Sequence, residues 1–234
     1  MAPSRATPRQ RHPALSQEEA EQKRAAARAA AEMIEDGMRV GLGTGSTVAH
    51  LLPAIAERDC RGLLCVATSP ATEQAALALG LAVAALDDVG ELDIAIDGAD
   101  QIDPDGWLIK GGGGAHTREK IVAASARRFV VIASASKAVP RLQPPVPVEL
   151  LRFGLEHTLR ALEPAARRDA PLSPDGGVIA DHDGPISDPR ALSQRLSSTP
   201  GVVEHGLFAP ELVSVILIAG PGGVQRRAGA KRAD

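Results

Sequence analysis

Aromatic side chains are nearly missing: the 234 residues hold one Trp, three Phe and no Tyr. A chain so poor in rings has little on which to stack bases, which argues against recognition of RNA or single-stranded DNA. It also leaves the core to Ala, Val, Leu and Ile. Cysteine is scarce too. Cys60 and Cys65 are the only two, and no Cys/His cluster stands near them. That excludes a disulfide scaffold and a zinc site, and predicts reduced thiols in a cytoplasmic protein. The longest apolar run, around 213–219, is far too short to span a bilayer, and the front lacks a secretory signal. An excess of one charge is also lacking: 26 Lys and Arg against 29 Asp and Glu leave a net charge of -3, so neither nucleic acid nor membrane is an expected partner. Two basic clusters, Arg5, Arg9 and Arg11 at the front and Arg226, Arg227, Lys231 and Arg232 at the back, read as solvated tails.

What is present is a repeating pattern. Ser16 and Glu19 form a capping box before an Ala-rich helix ending near Gly37. Short apolar strands are predicted at 39–43, 63–67, 81–85, 93–97 and 129–133, with helices at 46–58, 72–80 and, capped by Thr117, 117–127. This alternation predicts an α/β fold, a mostly parallel Rossmann-like sheet with helices on both faces. A Pro-rich stretch, 140–147, marks a boundary. Residues 144–210 then read as a small α+β domain, and 212–219 as a buried strand returning to the large sheet. The expected organisation is a tail (1–15), a large domain (16–143 and 211–226) interrupted by the small one, and a second tail (227–234).

Four constellations carry chemistry, and in such sheets ligands bind beyond the carboxyl ends of the strands. Gly41–Thr47 (GLGTGST) follows a strand and opens a helix, where free N–H groups and hydroxyls suit a phosphate. Ser46 breaks the dinucleotide fingerprint, and no Walker Lys follows; a plain tight turn is the alternative. Asp97 and Asp100, in IDGADQID, suit sugar hydroxyls, proton transfer or a divalent cation, or simply a turn. IKGGGGAHTREK sets Lys110 before four glycines, Gly111–Gly114, whose bare backbone could meet a developing oxyanion. Glu119 sits in the first turn of the next helix, where the dipole favours its charged form; it reads as a general base or as half of an exposed Glu–Lys pair. Lys137, at the end of SASK, reaches a substrate oxygen or faces solvent. The run Asp181-His182-Asp183 hints at a metal, but no other ligand pattern supports it.

Taken together, these motifs resemble the ribose-5-phosphate isomerase A family. The resemblance rests on TGST (Thr44–Thr47), DGAD (Asp97–Asp100), KGGG (Lys110–Gly113), TREK (Thr117–Lys120) and Ser136-Lys137, and extends through PVPVE, PGVVEHGLF and GPGGV over roughly 17–226. It implies interconversion of D-ribose 5-phosphate and D-ribulose 5-phosphate through an ene-diolate, in the pentose phosphate pathway, without metal or other cofactor, by a homodimer. Carried over, Glu119 is the proton acceptor. Asp97, Asp100 and Lys110 are catalytic, binding the sugar oxygens and assisting ring opening. Thr44, Gly45, Ser46 and Thr47 line the phosphate end; Gly98, Ala99, Gly111, Gly112, Gly113 and Lys137 contact substrate, and Lys23 approaches the phosphate. His116 and Ser134 depart from the family's usual residues. The rivals are a non-catalytic sugar-phosphate sensor, a sugar-phosphate deaminase and a coenzyme A transferase. KGGGG with TREK argues against the last two. The front is too short for a DNA-binding helix-turn-helix, which argues against the first.

Overall fold

The computed structural model describes residues 13–231. Helix α1 (Pro13–Ala31) leads into β1 (Arg39–Leu42), α2 (Val48–Ala56), β2 (Leu64–Ala67), α3 (Pro70–Ala78) and the single turn α4 (Leu86–Val89). Strand β3 (Leu92–Gly98), the short β4 (Gln101–Ile102) and β5 (Leu108–Ile109), α5 (His116–Ala124) and β6 (Ala126–Ser134) follow. Next come β7 (Val146–Leu150), α6 (Leu155–Ala161), β8 (Ala165–Arg167), β9 (Val178–His182), α7 (Pro189–Ser198) and β10 (Val202–His205). The last strands are β11 (Leu207–Phe208), β12 (Val215–Gly220) and β13 (Gly223–Ala228).

Six strands form the main sheet in the order β13-β12-β6-β3-β1-β2. All neighbours run parallel except β12 and β13, which form an antiparallel hairpin. Successive residues of a strand face opposite sides, and the buried residues sort accordingly. Ile94, Ile96, Val130 and Ile132 pack under the alanines of α1 and under Leu51 and Ile55 of α2. Ala95, Phe129 and Val131 pack with Val122 and Ala123 of α5. By the same alternation Asp97 shares the face of Ala95, the face that α5 covers.

A second, antiparallel sheet, β10-β7-β9-β8, has its own core of Val146, Val148, Leu150, Leu162, Leu192 and Leu196. Between the two lies a small sheet, β11-β5-β4. Helix starts follow local chemistry. The Ser69 side chain accepts the N–H of Thr72, and Asp188 accepts those of Arg190 and Ala191, each followed by Pro at the first helical position.

Several expectations need correction. The stretch 81–85 is not a strand: only Val83 bridges to Cys65, and the chain turns at once into α4. Helix α1 already runs from Pro13, so 13–15 are helical and Ser16 does not start the helix; residues 1–12, with Arg5, Arg9 and Arg11, lie outside the described residues. Thr117 does not cap α5, because Ala115 takes that position. The basic end is no free tail as far as it is described. Arg226 and Arg227 lie in β13, Arg227 donates to the Asp103 carbonyl (2.8 Å), and Lys231 donates to that of Ala126 (2.5 Å). Arg232 lies outside the described residues. Among the described residues no helix is long and apolar enough to cross a membrane.

Candidate active site

Strand β3 delivers Asp97 to its carboxyl end, and the hairpin β4–β5 turns the chain back so that Lys110 meets it. Lys110 Nζ lies 2.8 Å from Asp97 Oδ2 and 3.1 Å from Glu119 Oε2, and donates to the Gly98 carbonyl at 2.7 Å. All three charged side chains are at most 5% exposed. One cation thus faces two buried carboxylates. Burial, with Asp97 alongside, pushes Glu119 up to about 7 against the pull of Lys110. Burial also raises Asp97, although Lys110 and the N–H groups of Gly98 and Thr44 pull it back. Burial would lower Lys110, but the two carboxylates outweigh it and hold it above its ordinary value. The helix dipole expected to favour the charged form of Glu119 is therefore overridden, because desolvation acts on the whole charge and the dipole on a fraction of one.

Above this cluster lies a cavity of about 230 Å³ lined by Thr44–Thr47, Gly98–Asp100, Lys110–Gly113, Glu119 and Lys137. One end is the start of α2. There the Thr44 hydroxyl is held by Thr68 (2.8 Å), and that of Thr72 donates to the Gly43 carbonyl (2.9 Å). Gly43 must be glycine, since a Cβ would stand 1.9 Å from the Asp97 carboxyl. The other end is the glycine loop. The Gly112 N–H donates to Asp100 Oδ2 at 2.9 Å. Gly111, at φ +103°, lies over the His116 ring, where a Cβ would come within 2.7 Å of Nδ1. His116 itself is fully buried, and burial lowers it to about 4, so it is neutral near pH 7.

Every side chain of the TREK segment has a partner. Thr117 donates to the buried carboxylate of Glu149 on β7, which also accepts from Ser173. Arg118 forms a two-pronged pair with Asp175 (2.8 and 2.7 Å). Lys120 reaches Glu204 and the His205 carbonyl, each at 2.7 Å. Only Glu119 turns toward the cavity, so its three neighbours bolt α5 to the second sheet and its loops.

The structure thus brings all the sequence-predicted site residues to the cavity or the cluster beneath it except Lys23, and two of them do not line the cavity. Asp97 does not line the cavity; it is 3% exposed, behind Lys110. Lys23 does not line it either, and pairs with Glu19 one turn away on α1 (3.0 Å). The suspected metal run is occupied otherwise: Asp181 pairs with Arg168, and His182 lies 2.5 Å from Arg195. Among the described residues no cluster of three or more His, Cys, Asp or Glu could hold a metal ion. Sequence reasoning missed Thr68, Thr72, Glu149 and Arg168, which support the loops from elements far away in the chain. No spacing signal marks them.

Comparison with known proteins bears on this arrangement. The family model for ribose 5-phosphate isomerase A (phosphoriboisomerase A) matches residues 64–223. That of the DeoR C terminal sensor domain matches residues 18–78. A ribose-5-phosphate isomerase A from Methanosarcina acetivorans is 47% identical over 201 residues, covering 80% of this chain and 86% of that relative. One from Methylorubrum extorquens is 48% identical over 219 residues, covering 86% and 93%. Among solved structures, ribose 5 phosphate isomerase A from Neisseria gonorrhoeae superposes with a TM-score of 0.86 at 32% identity, covering 90% of this chain and 97% of that one. A D-ribose-5-phosphate isomerase in complex with phospho-erythronic acid reaches 0.84 at 34% identity, covering 89% and 98%.

Proposed function

The chain belongs to the ribose 5-phosphate isomerase A family and interconverts D-ribose 5-phosphate and D-ribulose 5-phosphate, and from that premise we propose how its residues divide the work. Glu119 is the base. It takes the C2 proton of the open-chain aldose, leaving an ene-diolate, and returns a proton to C1; O1 and O2 exchange their proton, and no electrons leave the substrate. Lys110 and the N–H groups of the glycine loop stabilise the charge on O1 and O2. Asp100 binds a sugar hydroxyl. Asp97, hidden behind Lys110, aims the ammonium rather than touching the sugar. Thr44–Thr47 and Lys137 hold the phosphate, whose remote binding energy orients the reacting end.

The observation that carries this reading is the buried Asp97–Lys110–Glu119 cluster, with Glu119 Oε2 3.1 Å from the ammonium at the floor of the cavity. A relative's complex with phospho-erythronic acid supports a phosphorylated sugar-acid skeleton as the shape such a site accepts. The sensor reading has one observation in its favour, the match over 18–78, but that span ends before Asp97, Asp100, Lys110 and Glu119. We further propose a cytoplasmic homodimer. Free Cys60 and Cys65 support the compartment, and the exposed Ile121 and Val203, beside a second cavity of about 650 Å³, support self-association.

The test is turnover of ribose 5-phosphate by purified protein in excess chelator. Isomerisation at an undiminished rate is expected, because the cationic charge at O1 and O2 comes from Lys110. A folded protein that binds the sugar phosphate and leaves it unchanged sinks the proposed roles.

A further inference from the structure

We propose that Arg168, braced by Asp181, is a positioning residue for the isomerisation: it sets the peptide planes of the glycine loop so that their N–H groups face Asp100 and the sugar. The inference rests on the division of roles proposed above.

Arg168 lies just beyond β8, in the second sheet, and is remote in sequence from every motif of the site. Its Nε donates to Asp181 Oδ2 on β9 at 2.9 Å, and Nη2 pairs with Oδ1 of the same carboxylate. The remaining nitrogen, Nη1, donates to two carbonyls of the loop, Gly111 O at 3.0 Å and Gly112 O at 3.2 Å. The guanidinium is thus fixed on one edge and spends the other on two successive glycines.

The consequence follows from peptide geometry. In a trans peptide the C=O and the next N–H point in opposite directions. Turning the Gly111 carbonyl to Arg168 sends the Gly112 N–H the other way, where it meets Asp100 Oδ2 at 2.9 Å. Turning the Gly112 carbonyl to Arg168 likewise sends the Gly113 N–H away from the guanidinium, and Gly113 is a residue that lines the cavity. One side chain therefore sets both a hydrogen bond that orients Asp100 and a donor for a substrate oxygen. Such an anchor is needed because glycine loses more conformational freedom on ordering than any other residue, and a run of four has no side chains with which to hold itself. Lysine cannot substitute. An ammonium is a point donor without the planar fork that spans a carboxylate and two carbonyls at once.

The experiment uses the full-length chain with Arg168→Ala, Arg168→Lys and Asp181→Asn. For Arg168→Ala we expect kcat to fall on the order of 10- to 100-fold, the scale of a misplaced reacting group. KM should move much less, because the phosphate end is untouched. Arg168→Lys should recover little of the loss. Amide hydrogen exchange across 112–114 should quicken in both variants, with or without substrate. Asp181→Asn keeps the guanidinium and loosens its brace, so it should lower kcat in the same direction by less; it decides the matter if Arg168→Ala does not fold. Wild-type kcat in a folded Arg168→Ala or in Asp181→Asn, unaltered loop exchange, or full recovery by Lys would each overturn the proposal. If wild-type protein fails to isomerise the sugar, the proposed roles fall, while loop exchange still reports whether Arg168 holds the glycines.

Discussion

Glu119, the proposed base, owes its ionisation to surroundings that its position in the chain does not show. A carboxylate in the first turn of a helix is normally a stronger acid than usual. Here burial and the neighbouring Asp97 reverse that and bring Glu119 to about 7, where a base can both accept and return a proton near neutral pH. Replacing it by Gln should lower kcat by about 10²- to 10⁴-fold, the usual contribution of a positioned base. Binding of inorganic phosphate, measured by calorimetry, should persist; a kcat near wild type would remove Glu119 from its role. The kcat/KM profile should fall on the acid side of about 7 as Glu119 takes up a proton. Stability carries the opposite sign. A carboxyl raised above its ordinary value contributes stability that is complete below that value, near 4.5, and is lost as pH rises through about 7. Melts of Glu119→Gln against wild type should therefore show an advantage for the variant that widens from pH 5 to pH 8. A constant gap between the curves would contradict the raised value.

Helix α5 shows the same division between what is written locally and what is supplied from afar. The sequence places a helix here from Thr117, and Glu119 stands out in its first turn because a carboxylate beside a glycine loop suits proton transfer. Local chemistry suits Thr117 to a cap, but Ala115 holds that position, and the threonine hydroxyl serves Glu149 on another sheet. Thr117→Val keeps the shape and removes the donor, leaving a carboxylate that is 2% exposed short of a partner. The loss should be about 1–3 kcal/mol. In a chain of this size that lowers Tm by roughly 2–4 °C per kcal/mol, read by thermal melting, and kcat should fall with it as α5 loosens. An unchanged Tm would mean that the clamp contributes nothing. The missing strand at 81–85 has a similar cause: LAVAA satisfies a strand pattern, but its backbone meets the edge of β2 only through Cys65.

At the scale of the molecule, two sheets meet over one site. The parallel sheet presents the loop of Thr44–Thr47 and Asp97 at its carboxyl ends, and the antiparallel sheet holds the glycine loop and α5 from outside. The exposed apolar side chains beside the second cavity lead to a mass prediction. Light scattering should give about twice the chain mass of 24.2 kDa. A monomer at all concentrations would refute the proposed dimer.

The amino-acid sequence by itself determined the layered α/β architecture, through the alternation of apolar strands and helices, and the residue types at the cavity, through glycines, hydroxyls and carboxylates at strand ends. These are short-range matters, settled within a few residues by periodicity and turn chemistry. Only the tertiary structure decided that Lys110 stands between two carboxylates, that Asp97 lies behind it, and that Arg168 reaches the glycine loop from beyond another sheet. Those arrangements depend on burial and on polar groups brought together through space, across 57 residues of chain in the case of Arg168 and Gly111. Desolvation and Coulomb forces act through space, and the order of residues does not record which distant groups will share it.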